Sequence, residues 1–325
     1  MENSNTISDY LDFVEEKFFE CFDSKGYVMD KSVPITSQID KTVDFIGSKI
    51  SPLKHYLLDE NIPEQGVALI QNCMKLRALK HLKDNIPQTF GSCYRGMGTI
   101  TKYNLNKIVF DTFDYLTNNK YLGIKAEDIH IRINAEDKDL IDSIEYIDSN
   151  IFREYNTESI ENYKHIYGME NEKITGRNFN IAVRKNGTNS FFDCAAIIVM
   201  ENPQNKLAID MGIGNSSLAL CRFNKENTVA SSRIADIINV DSVENMKYAD
   251  SIVAVSTLLY ENILNHHSKH FRKKFRQYLN ILLYWKNELN ISDEIVKECI
   301  NQYLNLEYKV ENYVSEETFK LILKK

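Results

Sequence analysis

All twelve glycines and all five prolines of this 325-residue chain lie at or before Gly214, and residues 215–325 contain neither. Glycine and proline are the main local breakers of regular structure, so their absence predicts a mostly helical tail. Apolar spacing agrees. Ala249, Ile252, Val253, Val255, Leu258, Leu259 and Ile263 recur at helical intervals, as do Phe271, Phe275, Tyr278, Leu279, Leu282 and Leu283.

The first part of the chain is mixed. SDYLDFVEEKFFECFDS (8–24) reads as an amphipathic helix with Ser8 as N-cap and Gly26 just past its end. LNKIVFDTFDYLTNN (105–119) reads as a second helix, and IHIRI (129–133) alternates like a strand. FNIAVRK (179–185) and FFDCAAIIVME (191–201) flank Asn186-Gly187, a hairpin signal. KLAID (206–210) reads as a further strand, ending at Met211-Gly212-Ile213-Gly214 with a helix after it. Helices followed by hairpin-connected strands predict an α+β fold rather than a doubly wound one. A boundary near residue 222 would separate a mixed unit (1–222) from a helical one (223–325).

At this length about two domains are expected. Hydrophobic residues at 43% are enough for a buried core. The net charge of −7 argues against a large nonspecific nucleic-acid surface, but leaves room for a local basic patch. The six cysteines form no CxxC pair, which fits reduced thiols in a cytoplasmic protein better than a disulfide framework. His266, His267 and His270 cluster without HExxH spacing, so no metal site is expected. The polar start MENSNTISDY lacks the pattern of a secretory signal. No run approaches ~20 apolar residues, so no membrane partner is expected.

Four segments carry chemistry. IDMGIG (209–214) sets a carboxylate before two glycines, where backbone can approach a ligand closely and Asp210 can grip an ammonium group. Alternatively, Asp210 caps the next helix. QNCMKLRALKHLKDN (71–85) holds Lys75, Arg77, Lys80, His81 and Lys83, either a phosphate site or a solvated helix face. In QTFGSCYRGMGTI (88–100), Gly91, Gly96 and Gly98 surround Arg95, either a ligand-facing strand-turn or an ordinary connection. NHHSKHFRKKFRQ (265–277) places Lys269, Arg272, Lys273 and Arg276 on one helical face, with Phe271 and Phe275 on another. Such a stripe suits a nucleic-acid backbone or a solvated surface.

In order and spacing, these segments resemble the alanyl-tRNA synthetase family. FFECFDSKGYVMDKSVP (18–34) is similar to its opening helix and F-x-S-K-G-H stretch. DFIGSKISPLKHYLLDE (44–60) resembles F-T-N-A-G-M-x-x-F-K-x-Y-F-L-G, and QNCMK (71–75) resembles the start of motif 2, Q-K-C-I-R. KHLKDN resembles K-H-N-D-L-E-N, QTFGS (88–92) matches H-T-F-F-E in part, and ITGRN (174–178) is similar to D-T-G-P-C. LAIDMGIGNSSLAL (207–220) is similar to motif 3, S-V-D-T-G-M-G-L-E-R-I-A. YADSIVAVSTLLYENIL and FRKKFRQ resemble the helical segments that follow, A-D-H-I-R and R-G-Y-V-L-R-R.

The resemblance implies a class II synthetase core, an antiparallel sheet flanked by helices, followed by a helical region that binds the tRNA acceptor stem. It leaves no room for editing and oligomerisation domains. It also implies that Asp210, with Gly212, holds the amino group of a small amino acid, and that Tyr167 corresponds to a tryptophan bordering that pocket. Lys269, Arg272, Lys273 and Arg276 would face tRNA.

Departures fall on the ATP machinery. Ser217 stands where motif 3 has arginine, the motif 2 arginine falls on Lys75 or Arg77, and Ser92 replaces the glutamate. TGRNFNIAV has no counterpart for the carboxylate that helps with ATP and its metal. Arg77, Arg95 or Arg177 would have to rebuild the site. ATP and magnesium are therefore expected to bind weakly or not at all. The readings left open are an aminoacyl-tRNA ligase, a repurposed binder or acyl-transfer protein for an amino acid or aminoacyl-tRNA, and a non-catalytic regulatory module.

Overall fold

The computed structural model describes residues 6–158, 160–167 and 174–323. The strands are β1 (Val28–Met29), β2 (Val67–Met74), β3 (Cys93–Lys102), β4 (Ile129–Asn134), β5 (Phe152–Asn156), β6 (Lys164–Ile166), β7 (Thr175–Arg184), β8 (Phe191–Glu201) and β9 (Lys206–Gly214). They form one sheet in the order β1-β2-β3-β9-β8-β7-β4-β5, with β6 also on β7. The six central strands are antiparallel throughout, as expected, but the edge pairs β1/β2 and β4/β5 are parallel. The sheet is therefore mixed.

Alternation along the strands gives the two faces different characters. Met97 of β3, Ile197 and Val199 of β8, and Ile209, Met211 and Ile213 of β9 share one face. They form a core with helices α1 (Ile7–Ser24) and α3 (Leu105–Thr117). On the other face, helix α2 (Ile50–Leu58) covers only one end, where Ile50 and Leu53 meet Val67, Leu69, Ile100 and Ala208. The middle of that face is polar and rich in glycine.

Local signals were shifted in several places. The cap of α1 is Thr6, whose hydroxyl accepts from the Asp9 amide. Ser8 lies inside the helix, and its amide and hydroxyl both donate to Asp236. The Asn186-Gly187 hairpin has a longer loop than a two-residue turn, closed by the Lys185 amide donating to the Ser190 carbonyl. The strand read as 206–210 continues to Gly214, the N-cap of α5 (Asn215–Arg222), so Asp210 sits mid-strand and caps nothing. Residues 71–85 are not one helix: β2 runs into a short 3₁₀ turn, Leu76–His81.

A short helix α4 (Lys138–Ser143) follows β4. The tail holds α6 (Val243–Tyr260), α7 (Lys269–Glu288), α8 (Asp293–Tyr308) and α9 (Glu316–Leu323), with a bend-rich connection before α6. Lacking glycine, it leaves its helices through Asn262, Asn290 and Lys309 at φ of 56°, 52° and 57°. Asparagine tolerates the left-handed region better than most side chains. Trp285, Tyr278 and Leu282 of α7 pack with Ile252 and Leu258 of α6 and Ile300 of α8 into a second core.

The tail also grips the loop before β3. Buried Asp250 of α6 accepts from the Ser92 amide at 2.7 Å and the Ser92 hydroxyl at 2.8 Å. Thr228 accepts from the Gly91 amide at 2.9 Å. Burial pushes the Asp250 carboxyl up to about 6, against the opposing pull of the two Ser92 hydrogen bonds. A carboxyl raised by folding adds stability that is complete below its unfolded value, near 3.8, and is lost as pH rises through about 6. Asp250→Asn preserves an acceptor for the Ser92 amide and removes this titration. Its stability relative to the parent chain should rise between pH 4 and 7, by on the order of 2–3 kcal/mol at most. Asp250→Ala strands the Ser92 amide and should lose about 1–3 kcal/mol. Urea melts across that pH range check both. A pH-independent gap between Asp250→Asn and the parent would contradict the assignment.

Candidate functional site

Register builds the site. Gly96 pairs with Gly214, Gly98 with Gly212 and Ile100 with Asp210 across β3 and β9. Four glycines therefore face each other on two adjacent strands, and Asp210 projects from the same face. The backbone forms a bare floor there. A methyl group at Gly98 would come within 2.3 Å of the Met211 carbonyl oxygen, so no larger residue fits.

Lys49, just before α2, fills this trough. Methyl groups built at Gly96, Gly98 and Gly212 would meet its stem at 3.4, 2.7 and 2.8 Å, moving from Cβ towards Cε. Its Nζ ends in contact with Asp210 Oδ1. The Tyr167 hydroxyl donates to Asp210 Oδ2 at 3.2 Å. Burial pulls the Lys49 ammonium down; the carboxylate against it favours the charged form. On the same face of β7, Asn178 Oδ1 lies 3.0 Å from His165 Nε2, and the Asn178 amide donates to Asn180. Burial lowers the His165 imidazole, which favours its neutral form beside the lysine.

A cavity of about 210 Å³ opens beside the floor. Lys49, Lys75, Phe90, Tyr94, Ser217 and Thr228 line it, together with Gly96, Gly212 and Gly214. Lys75 Nζ lies 4.7 Å from the Phe90 ring centre and 4.5 Å from that of Tyr94, a cation held over two aromatic faces. Ser217 is buried in the first turn of α5.

The other candidate cations lie elsewhere. Arg95 projects from the opposite side of β3 to Gly96 and pairs with Glu15 of α1 and Glu307 of α8. Arg177 is held by Glu201 at 2.7 Å, Asp139 at 2.9 Å and Asp137 at 3.0 Å. Arg77 is exposed in the 3₁₀ turn. Of the residues singled out in sequence, the structure thus brings Asp210, Tyr167 and Gly212 together on the floor and sets Lys75 and Ser217 beside the cavity. On α7, Lys269, Lys273 and Arg276 are exposed and Arg272 is half-buried, donating to the His266 carbonyl, while Phe271 and Phe275 are buried. Among the described residues no group of His, Cys, Asp or Glu side chains is arranged to hold a metal ion. No described helix is long and apolar enough to cross a membrane.

Sequence reasoning missed Lys49, His165 and Asn178. The alternating Gly96-x-Gly98 and Gly212-x-Gly214 pattern marked the floor, but nothing local in DFIGSKIS shows what lies on it.

No protein-family model matches the chain. It is 27% identical over 131 residues to an alanine–tRNA ligase of Treponema denticola, a match covering 40% of this chain and 22% of that protein. An alanine–tRNA ligase of Borrelia hermsii is 25% identical over 131 residues with the same coverage. One from Listeria innocua is 22% identical over 134 residues, 39% of this chain and 14% of that protein. Over that stretch the chain is similar to alanine–tRNA ligases. Less than a quarter of each of these relatives is matched. A histidyl-tRNA synthetase structure from S. aureus overlaps 65% of this chain and 64% of its own at 12% identity and a TM-score of 0.40. An aspartyl-tRNA synthetase from Entamoeba histolytica overlaps 70% and 57% at 10% identity and 0.39.

Proposed function

We propose that this chain binds a small amino acid through its ammonium group at Asp210, and that the site does not support ATP-dependent activation. The observation that carries this reading is the buried Asp210 carboxylate at the head of a bare backbone floor, with the Tyr167 hydroxyl on one oxygen. A buried carboxylate needs a cation; Lys49 supplies one in the folded chain, and a ligand's ammonium would take its place. The glycines allow that cation to arrive on a flat, close-lying ligand. Because the matched relatives are alanine–tRNA ligases, alanine and amino acids of similar size are the first ligands to test.

Adenylate formation requires cations set opposite a polyphosphate as charge shifts in the transition state. The residues present do not fit ATP with magnesium. The described lining of the cavity holds no carboxylate for the metal. Its cations are lysines, which lack the planar fork of arginine. Lys49 is already committed to Asp210, and Arg95 and Arg177 are locked in ion pairs. This chemistry favours a repurposed binder or acyl-transfer protein over an aminoacyl-tRNA ligase.

Calorimetry with glycine, alanine and serine should show saturable binding that Asp210→Asn abolishes. ATP with magnesium should give no heat, and amino-acid-dependent ATP–pyrophosphate exchange should stay at background. Exchange above background would restore the ligase reading. Binding that Asp210→Asn leaves unchanged would remove the amino-acid reading.

We further propose that the α7 stripe contacts an RNA backbone, such as tRNA. Three of its four cations are exposed, and its aromatic residues are turned into the second core. Each phosphate neutralised contributes about 0.7–0.9 to the salt slope of binding. Lys273→Glu with Arg276→Glu should weaken binding of alanine tRNA and flatten its slope by about two phosphates' worth. Gel shifts at two salt concentrations test this. Absence of binding at low salt, or indifference to both substitutions, would make the stripe a solvated surface only.

A further inference from the structure

Asp210 is suited to receive a ligand's amine, yet in the folded chain it already holds one. The Lys49 stem runs along Gly96, Gly98 and Gly212, and its ammonium meets Asp210 Oδ1, while Tyr167 takes Oδ2. The side chains of Lys49 and Asp210 are only 9% and 4% exposed. Both carboxylate oxygens are engaged, and the floor that would lie under a ligand is covered by four methylenes.

We propose that Lys49 is the specificity-determining residue of this site: its ammonium holds the position on Asp210 that a ligand's amine would take, so an amine binds only in competition with the chain's own side chain. This rests on the reading of Asp210 as the amine-binding group. The physics is that of a tethered competitor. A group attached near its own site acts at an effective concentration of about millimolar or above. A free amine then sees an affinity reduced by the fraction of molecules in which Lys49 is seated. The seated state is favoured because an unpaired carboxylate buried at Asp210 would be costly. When a ligand wins, the Lys49 stem must leave the floor, and the cavity of about 210 Å³ that it already lines is the open space beside it. A ligand with a carboxylate beside its amine, as in an amino acid, would then meet the displaced ammonium. Between simple amines and amino acids, the displaced lysine itself favours the amino acid.

The decisive probe is n-propylammonium, whose three carbons and nitrogen reproduce Lys49 from Cγ to Nζ. It is titrated at constant ionic strength into the parent chain, Lys49→Ala, and Lys49→Ala combined with Asp210→Asn, with thermal stability as the readout. Expected is stabilisation of Lys49→Ala at concentrations about tenfold or more below any effect on the parent, and none in the double variant. Equal response of parent and Lys49→Ala would overturn the proposal, as would a response that survives loss of Asp210. Should Lys49→Ala not fold, acetylation of the parent followed by mass spectrometry decides: Lys49 should label far more slowly than exposed Lys269 and Lys273, and Asp210→Asn should abolish its protection. Labelling of Lys49 in the parent as fast as the two exposed lysines overturns the proposal. The same series with alanine separates the two claims. Rescue by n-propylammonium without alanine binding keeps Lys49 as the occupant and removes the amino acid as ligand. Alanine binding equally to parent and Lys49→Ala keeps the ligand and removes the competitor.

Discussion

The register between β3 and β9 fixes which side chains meet on each face of the sheet. Gly96 opposite Gly214 and Gly98 opposite Gly212 make a floor only because all four point to one face. A slip by one residue would turn them into the α1 core and bring Ile213 and Met211 to the site. Those two residues, with Ile209 and Met97, prevent the slip, since their burial against α1 and α3 is available in one register only. At roughly 1.5–3 kcal/mol for each large apolar side chain buried, the core face holds the site face in place. The bare floor is thus stabilised from behind, and Lys49 and Asp210 can pair on it without side chains crowding between them.

The tail completes the site from outside the sheet. Asp250 and Thr228 fix the loop that carries Phe90 and Gly91 to the cavity wall. On the opposite face, Arg95 and Arg233 interlock with Glu15 of α1 and Glu307 of α8. Removing one partner from such a buried network leaves an uncompensated charge, a cost of about 3–5 kcal/mol. The arginine nearest the glycine motif is therefore a fastening between sheet and tail. It points away from the cavity, whose cationic side chains are Lys49 and Lys75.

Much of the architecture was legible because it depends on local periodicity. The glycine- and proline-free tail reads as helix, FFDCAAIIVME (191–201) coincides with β8, and apolar alternation separates the two sheet faces. Short edge strands such as β1 and β6 gave no periodic signal to read. IDMGIG marked Asp210 as a candidate, but its mid-strand place was hidden, because two glycines look like an ending when the facing glycines of β3 are unknown. The roles of Arg95, Arg177 and Lys49 depend on partners remote in sequence. Composition shows how many charges there are, and only the fold shows which of them are already paired.

The site face turns on Lys49 sitting as a charged ammonium on Asp210. Nitrogen-15 NMR of lysine-labelled protein tests it most directly, because water-exposed ammonium groups lose their protons too fast to be seen near neutral pH, while a buried, paired one retains them. The structure predicts a slowly exchanging ammonium signal that Lys49→Arg deletes, identifying it, and that Asp210→Asn removes. A parent protein with no such signal for Lys49, or one whose signal is unchanged in Asp210→Asn, would contradict the account.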